Sequence, residues 1–161
     1  MNIAKSKNGT VELKTKKATI VFNDHVAIND VNLEGAGEYE IGEISVQGIE
    51  DYLYVINAED LTIGLLDFKC KISKEQIDTL SNADILIIRI DGDVKGAVEQ
   101  VNQIEPKTAI YLGNEASFVS LEENGISIEN VGQVKLTKND SELEGKSYFI
   151  EIQSGENVSG S

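Results

Sequence analysis

Few residues in this chain carry side chains suited to catalysis or metal binding. The sequence contains one histidine, His25, one cysteine, Cys70, and one arginine, Arg89. A single histidine with unknown neighbours in space does not define a Ser-His-Asp triad, and a single cysteine excludes an internal disulfide. Since a chain without disulfides is typical of a reducing compartment, we predict a cytoplasmic protein.

Two short motifs suggest ligand binding, but each has a simpler interpretation. Asp91-Gly92-Asp93 offers two carboxylates to a hard cation, yet it lacks the further oxygen ligands of a calcium loop. It favours a turn in which Asp93 caps a following helix. Gly35-Ala36-Gly37 is followed by a β-like run and not by a helix N-terminus, so we predict a backbone turn and not a phosphate loop.

The charge of the chain is strongly negative and unevenly distributed. The net charge is -14 over 161 residues, whereas residues 1–17 alone carry five lysines and one glutamate. An acidic body repels nucleic acid and anionic membrane surfaces, so we predict neither as a partner. The excess charge favours solubility; the alternative is a basic N-terminal arm that docks on an acidic face of another copy.

The elements that must position these residues follow from hydrophobic periodicity. Ser73 and Gln76 form a capping box that predicts a helix start, and apolar residues in 94–104 follow one helical stripe that ends before Pro106. A third helix is predicted at 115–124. Strands are predicted around 9–17, 18–22, 41–46, 52–56, 61–66, 84–90, 108–112, 133–137 and 147–152. Strands 84–90 and 108–112 should be parallel, since a helix connects them.

Five segments resemble, in the same order, segments of the metallo-β-lactamase-fold hydrolases. The branch that these segments resemble is that of the small zinc-dependent hydrolases similar to ascorbate-6-phosphate lactonases. The segments are Gly35 to Ile49, Ile63 to Gln76, Asn82 to Ile88, Val101 to Ile110 and Val134 to Asp140. The resemblance implies an α+β (αββα) fold, a trimmed metallo-β-lactamase-like β-sandwich with about three helices. We expect one domain over residues 1–152 and a polar tail over 153–161.

Each metal-binding motif of that family is altered in this chain. The segment before Gly35 is too short for the family's H-x-H-x-D-H loop and contains only His25. Asp67 matches the family's bridging aspartate, and Cys70 stands where a histidine would follow. Gly113 stands at the family's last histidine. Asp67, Cys70 and His25 remain as ligand types for zinc, and we predict that no metal or other cofactor is bound.

Arg89 suggests how the site has changed. It lies near the end of an otherwise apolar strand, where active-site groups of the resembled family cluster. A buried charge needs a partner, so we hypothesise that Arg89 and Asp67 pair in the vacated metal site. The alternative is that Arg89 points outward. The predicted vestigial site therefore consists of Asp67, Cys70, Arg89 and Gly113, with no catalytic residue.

These observations leave three hypotheses for function. The first is a catalytically inactive scaffold or interaction module that binds a protein partner or a second copy. The second is a residual metal-dependent hydrolase of a small phosphorylated or ester substrate that uses Asp67, Cys70 and His25. The third is a metal-free sensor of a small ligand. We favour the first, because the residues that would carry the ancestral chemistry have changed.

Overall fold

The computed structural model describes residues 1–6, 10–22, 26–33, 36–50, 53–68, 72–81, 83–90 and 92–152. The predictions that concern His25, Cys70 and the tail at 153–161 lie outside these residues.

The described residues form fourteen strands and four helices, numbered along the chain. The strands are β1 (Asn2–Lys5), β2 (Val11–Lys14), β3 (Thr19–Phe22), β4 (Val26–Ile28), β5 (Val31–Leu33), β6 (Gly37–Ile41), β7 (Ile44–Glu50), β8 (Leu53–Ala58), β9 (Leu61–Phe68), β10 (Ile85–Ile90), β11 (Thr108–Gly113), β12 (Glu129–Asn130), β13 (Gln133–Lys135) and β14 (Lys146–Glu151). The helices are α1 (Lys74–Leu80), α2 (Val94–Ile104), α3 (Glu115–Glu123) and α4 (Asp140–Leu143).

The strands form two sheets of different type. The first has the order β13-β1-β2-β3-β4-β5, and all its pairs are antiparallel. The second has the order β12-β14-β11-β10-β9-β8-β7-β6. Its half from β9 to β12 is parallel, and its half from β6 to β8 is antiparallel. The chain thus has the predicted α+β fold, with two sheets and four short helices.

Alternation of side chains along the strands creates two apolar layers. One face of the eight-stranded sheet packs against the six-stranded sheet through residues such as Ile63 and Ile87. Its opposite face packs against helices through residues such as Leu66, Leu86 and Val101. Burial of each such side chain stabilises the fold by roughly 1.5–3 kcal/mol. A residue's place along its strand therefore decides which layer it enters.

The βαβ unit forms as predicted from the sequence. Helix α2 has the predicted bounds, and the Asp93 side chain accepts a hydrogen bond from the Gly96 amide at 2.9 Å, which confirms the N-cap. Strands β10 and β11 are parallel. The capping box at the start of α1 is also present, because Ser73 and Gln76 bond each other's backbone amides.

The prediction of one strand across 41–46 is wrong. The chain turns back at Gly42 and Glu43, where φ is 58° and 65°, and β6 pairs with β7 as a hairpin. Positive φ at both central residues is typical of the tight turn whose twist matches a hairpin. A second turn of this kind, at Asn29 and Asp30 with φ of 48° and 68°, connects β4 to β5.

Several short elements were not predicted. Strands β1, β4, β5 and β12 and helix α4 are each only two to four residues long, too short to show a period. Because β1 and β2 belong to the six-stranded sheet, residues 2–5 and 11–14 do not form a separate basic arm. Within the described residues, no helix is both long and apolar enough to span a bilayer.

Candidate functional site

Asp67 and Arg89 lie side by side at the carboxyl ends of two neighbouring parallel strands. The β9–β10 register pairs the two residues directly. Parallel strands in register direct the side chains of paired residues to the same face. The Arg89 Nη1 and Asp67 Oδ2 atoms are 3.6 Å apart. The structure therefore brings together the two residues that we hypothesised to form an ion pair, and Arg89 does not point outward.

The pair belongs to the layer between the two sheets. Leu61, Ile63 and Leu65 precede Asp67 at alternate positions and are part of the inter-sheet cluster. Leu112, the register partner of Arg89 on β11, belongs to the same cluster. The Asp67 side chain is 5% exposed and that of Arg89 is 25% exposed. The carboxylate is thus buried at the end of the sandwich, whereas the guanidinium reaches its border.

Charge compensation is the main interaction of this pair. The distance of 3.6 Å is longer than the 2.7–2.9 Å of a charge-assisted hydrogen bond, and the buried Nη1 makes no hydrogen bond to the described residues. A guanidinium offers only N–H donors and no lone pair, so it neither ligates a metal nor accepts a proton. Its permanent charge also repels a cation. Asp67 and Arg89 therefore do not fit the two-metal centre of the resembled hydrolases.

Gly113 lies on the opposite face of the sheet from the Asp67–Arg89 pair. It lies at the end of β11, on the face that packs against helices. A Cβ atom there would meet the Ser117 Cβ at 2.9 Å and the Ser117 Oγ at 3.0 Å, and would contact Phe149 at 3.5 Å. Real Cβ atoms essentially never lie as close as 2.9 Å to another heavy atom, so a side chain at position 113 would displace its neighbours. The close packing of α3 on β11 thus gives this glycine a structural role.

The remaining ligand candidates lie outside the described residues. These are Cys70 and His25, and nothing follows about their distance to Asp67. In the part of the chain that the structure describes, no three His, Cys, Asp or Glu side chains cluster so as to hold a metal ion.

A second charged cluster was missed by the sequence analysis. The Asp84 Oδ1 atom lies 2.7 Å from the Lys138 Nζ and 3.2 Å from the Lys107 Nζ, and its Oδ2 accepts a hydrogen bond from the Thr62 amide at 2.9 Å. Burial raises the pKa of this carboxyl, but the bonds from Lys138, Thr62 and Lys107 together outweigh burial and lower it below 3.8. The cluster joins the amino ends of β10 and β11 to the segment before α4.

This cluster is best explained as a structural anchor. An aspartate that begins a buried strand was the only signal in the sequence, and Lys138 is 54 residues distant along the chain. Both ammonium groups contact the same carboxylate oxygen, so the aspartate neutralises charge that would otherwise be repulsive. Asp84, Thr62 and Lys107 lie at the amino ends of β10, β9 and β11, whereas Asp67 and Arg89 lie near the carboxyl ends of β9 and β10.

Two depressions occur on the surface of the described residues. One, of about 200 Å³, is lined by Thr15, Lys16, Lys17, Gly42, Glu43, Ile44, Ala58 and Glu59. Beside it the Met1 ammonium lies 2.9 Å from the Glu59 carboxylate and lowers the pKa of that group. The other, of about 360 Å³, is lined by Glu38, Tyr39, Glu40, Ser45, Val46, Gln47 and Asn57. Neither is lined by Asp67, Arg89 or Gly113.

Comparison with known proteins does not assign the chain to a family. No protein-family model, no curated protein and no solved structure gives a significant match.

Proposed function

We propose that this protein is a catalytically inactive relative of the metallo-β-lactamase-fold hydrolases that acts as a scaffold or protein-interaction module. The family assignment rests on the five ordered segments of sequence and on the α+β arrangement of two sheets with few helices. The inactivity rests on the chemistry of the residues at the matched positions.

The observation that carries the proposal is the contact between Arg89 and Asp67. In the resembled hydrolases the matched aspartate bridges two metal ions. Here a guanidinium lies 3.6 Å from that carboxylate, on the neighbouring strand and on the same face. A permanently charged side chain in this position supplies the positive charge that a metal would supply, but it offers no site for an activated water.

The incomplete cover of the eight-stranded sheet supports an interaction role. Helices α1 to α3 pack with the parallel half of this sheet. On the same face of the antiparallel half, beyond the buried Leu53 and Val55 of β8, the following side chains are polar and exposed: Glu38, Glu40, Ser45, Gln47 and Asn57. A sheet face without a helical layer is available to a partner.

Native mass spectrometry of the protein purified without chelator, before and after addition of zinc, tests this proposal. We expect no bound zinc at equimolar addition, both for the wild type and for the isosteric variant Asp67→Asn. Stoichiometric zinc that is lost in Asp67→Asn would overturn the proposal and favour the residual hydrolase. Zinc that binds the wild type and Asp67→Asn equally would not involve the Asp67 carboxylate. The matched control Asp78→Asn, on the exposed side of α1, shows the effect of losing one negative charge elsewhere.

A further inference from the structure

The free edge of the eight-stranded sheet has a distinct pattern of side chains. Strand β6 ends this sheet and pairs only with β7 among the described strands. Glu38 and Glu40 are exposed on its outer face. Tyr39 and Ile41 alternate with them, pack against the inter-sheet core and are only partly buried. The edge therefore presents two exposed carboxylates on one face and two partly buried apolar side chains on the other.

The two carboxylates have no cation beside them within the described residues. Among the lysines and arginine that the structure describes, none forms an ion pair with Glu38 or Glu40, whereas Glu43, in the adjacent turn, pairs with Lys17 at 3.3 Å. The depression of about 360 Å³ begins at these carboxylates and continues over Ser45, Gln47 and Asn57. Charged side chains on an edge strand discourage pairing with an identical edge, because like charges would lie opposite each other.

We propose that β6 is a docking edge for an extended segment of a partner protein in which basic and apolar residues alternate. The segment adds to the sheet as a further strand. Its backbone pairs with the free side of β6, its basic side chains lie opposite Glu38 and Glu40, and its apolar side chains cover Tyr39 and Ile41. This inference rests on the proposed interaction role and specifies the partner's chemistry.

Physical arguments favour a basic partner over a second copy. Two molecules that each carry a net charge of -14 repel, whereas a basic segment is attracted by the same field. Strand addition obtains its affinity from main-chain hydrogen bonds and its specificity from alternate side chains. Opposite charges directly across a strand pair are favourable, so spacing of the basic residues by two matches Glu38 and Glu40.

The test uses a short blocked peptide of alternating lysine and valine, titrated into the full chain by calorimetry at physiological ionic strength. The protein variants are Glu38→Gln/Glu40→Gln and the matched control Glu122→Gln/Glu123→Gln, which makes the same charge change at the exposed end of α3. Two further peptides carry N-methyl groups on alternate amides, in either register. Circular dichroism and urea unfolding establish that each variant is folded. The single substitutions Glu38→Gln and Glu40→Gln measure the effect of each carboxylate on peptide binding separately.

We expect the β6 variant to bind about tenfold more weakly than the wild type, since two exposed ion pairs are lost, and the control to bind within about twofold. One N-methyl register should abolish binding and the other should retain it, because only alternate amides of an added strand face β6. Equal weakening in both variants, equal binding of both N-methyl peptides, or no binding to the wild type would each overturn this inference. A zinc-binding wild type would instead overturn the proposed function and leave the peptide result unchanged.

Discussion

Removal of the Arg89 guanidinium should destabilise the fold through its effect on Asp67. In Arg89→Met the apolar stem is kept, while the buried carboxylate loses its compensating charge. Removing one partner of a fully buried pair costs about 3–5 kcal/mol. Arg89 is 25% exposed and lies at 3.6 Å without a hydrogen bond at Nη1, so we expect a smaller cost, about 2 kcal/mol.

A double-mutant cycle separates this charge effect from simple loss of packing. Urea unfolding, followed by circular dichroism, gives the free energy of unfolding of the wild type, Arg89→Met, Asp67→Asn and the double variant. With the carboxylate replaced by a neutral amide, Arg89→Met should cost less than about 0.5 kcal/mol. In thermal unfolding the single variant should melt about 4–8 °C lower than the wild type.

If Arg89→Met cost the same in the wild type and in the Asp67→Asn background, the two residues would not be coupled. The guanidinium would then be only a border side chain, and the argument that it replaces a metal's charge would fail. A variant with an altered urea slope would not qualify for the comparison, since the slope reports on the surface exposed during unfolding. The neutral variant Arg89→Gln would then replace it in the cycle.

Two further predictions concern the packing of α3 and the Asp84 cluster. Gly113→Ala should lower the free energy of unfolding by about 1–3 kcal/mol, because its Cβ would lie 2.9 Å from that of Ser117. The control Gly132→Ala, where a Cβ meets nothing within 4 Å, should change the free energy of unfolding by less than about 0.5 kcal/mol. Equal effects of the two substitutions in urea unfolding would contradict this. Since the pKa of Asp84 is lowered by folding, its contribution to stability is present above the unfolded pKa near 4 and is lost as the pH falls through the folded value. Asp84→Asn should therefore unfold at a lower urea concentration than the wild type at neutral pH, and this difference between the two proteins should shrink below about pH 4. A difference that stays the same in acid would refute the prediction.

The candidate site illustrates what a sequence can and cannot predict. Arg89 was chosen because a lone charge near the end of an apolar strand needs a partner, and Asp67 because it matches the bridging aspartate of the resembled hydrolases. The contact itself depends on the register of β9 and β10, which pairs the two residues directly. A shift of one residue would place them on opposite faces. Gly113 was matched to the last histidine of the resembled hydrolases, yet it lies on the other face, where α3 packs.

The sequence by itself determined the local elements with strong signals. The capping box at Ser73, the apolar stripe of α2 and the buried runs of β10 and β11 are set by nearest neighbours along the chain, so they could be read directly. Tertiary structure alone decided the rest. The six-stranded sheet gathers strands as distant as β1 and β13, and Asp84 meets Lys138 across 54 residues. Among the described strands, β6 is left at the end of its sheet. These features depend on which strands pair, and pairing is fixed by burial of whole faces and not by any single segment.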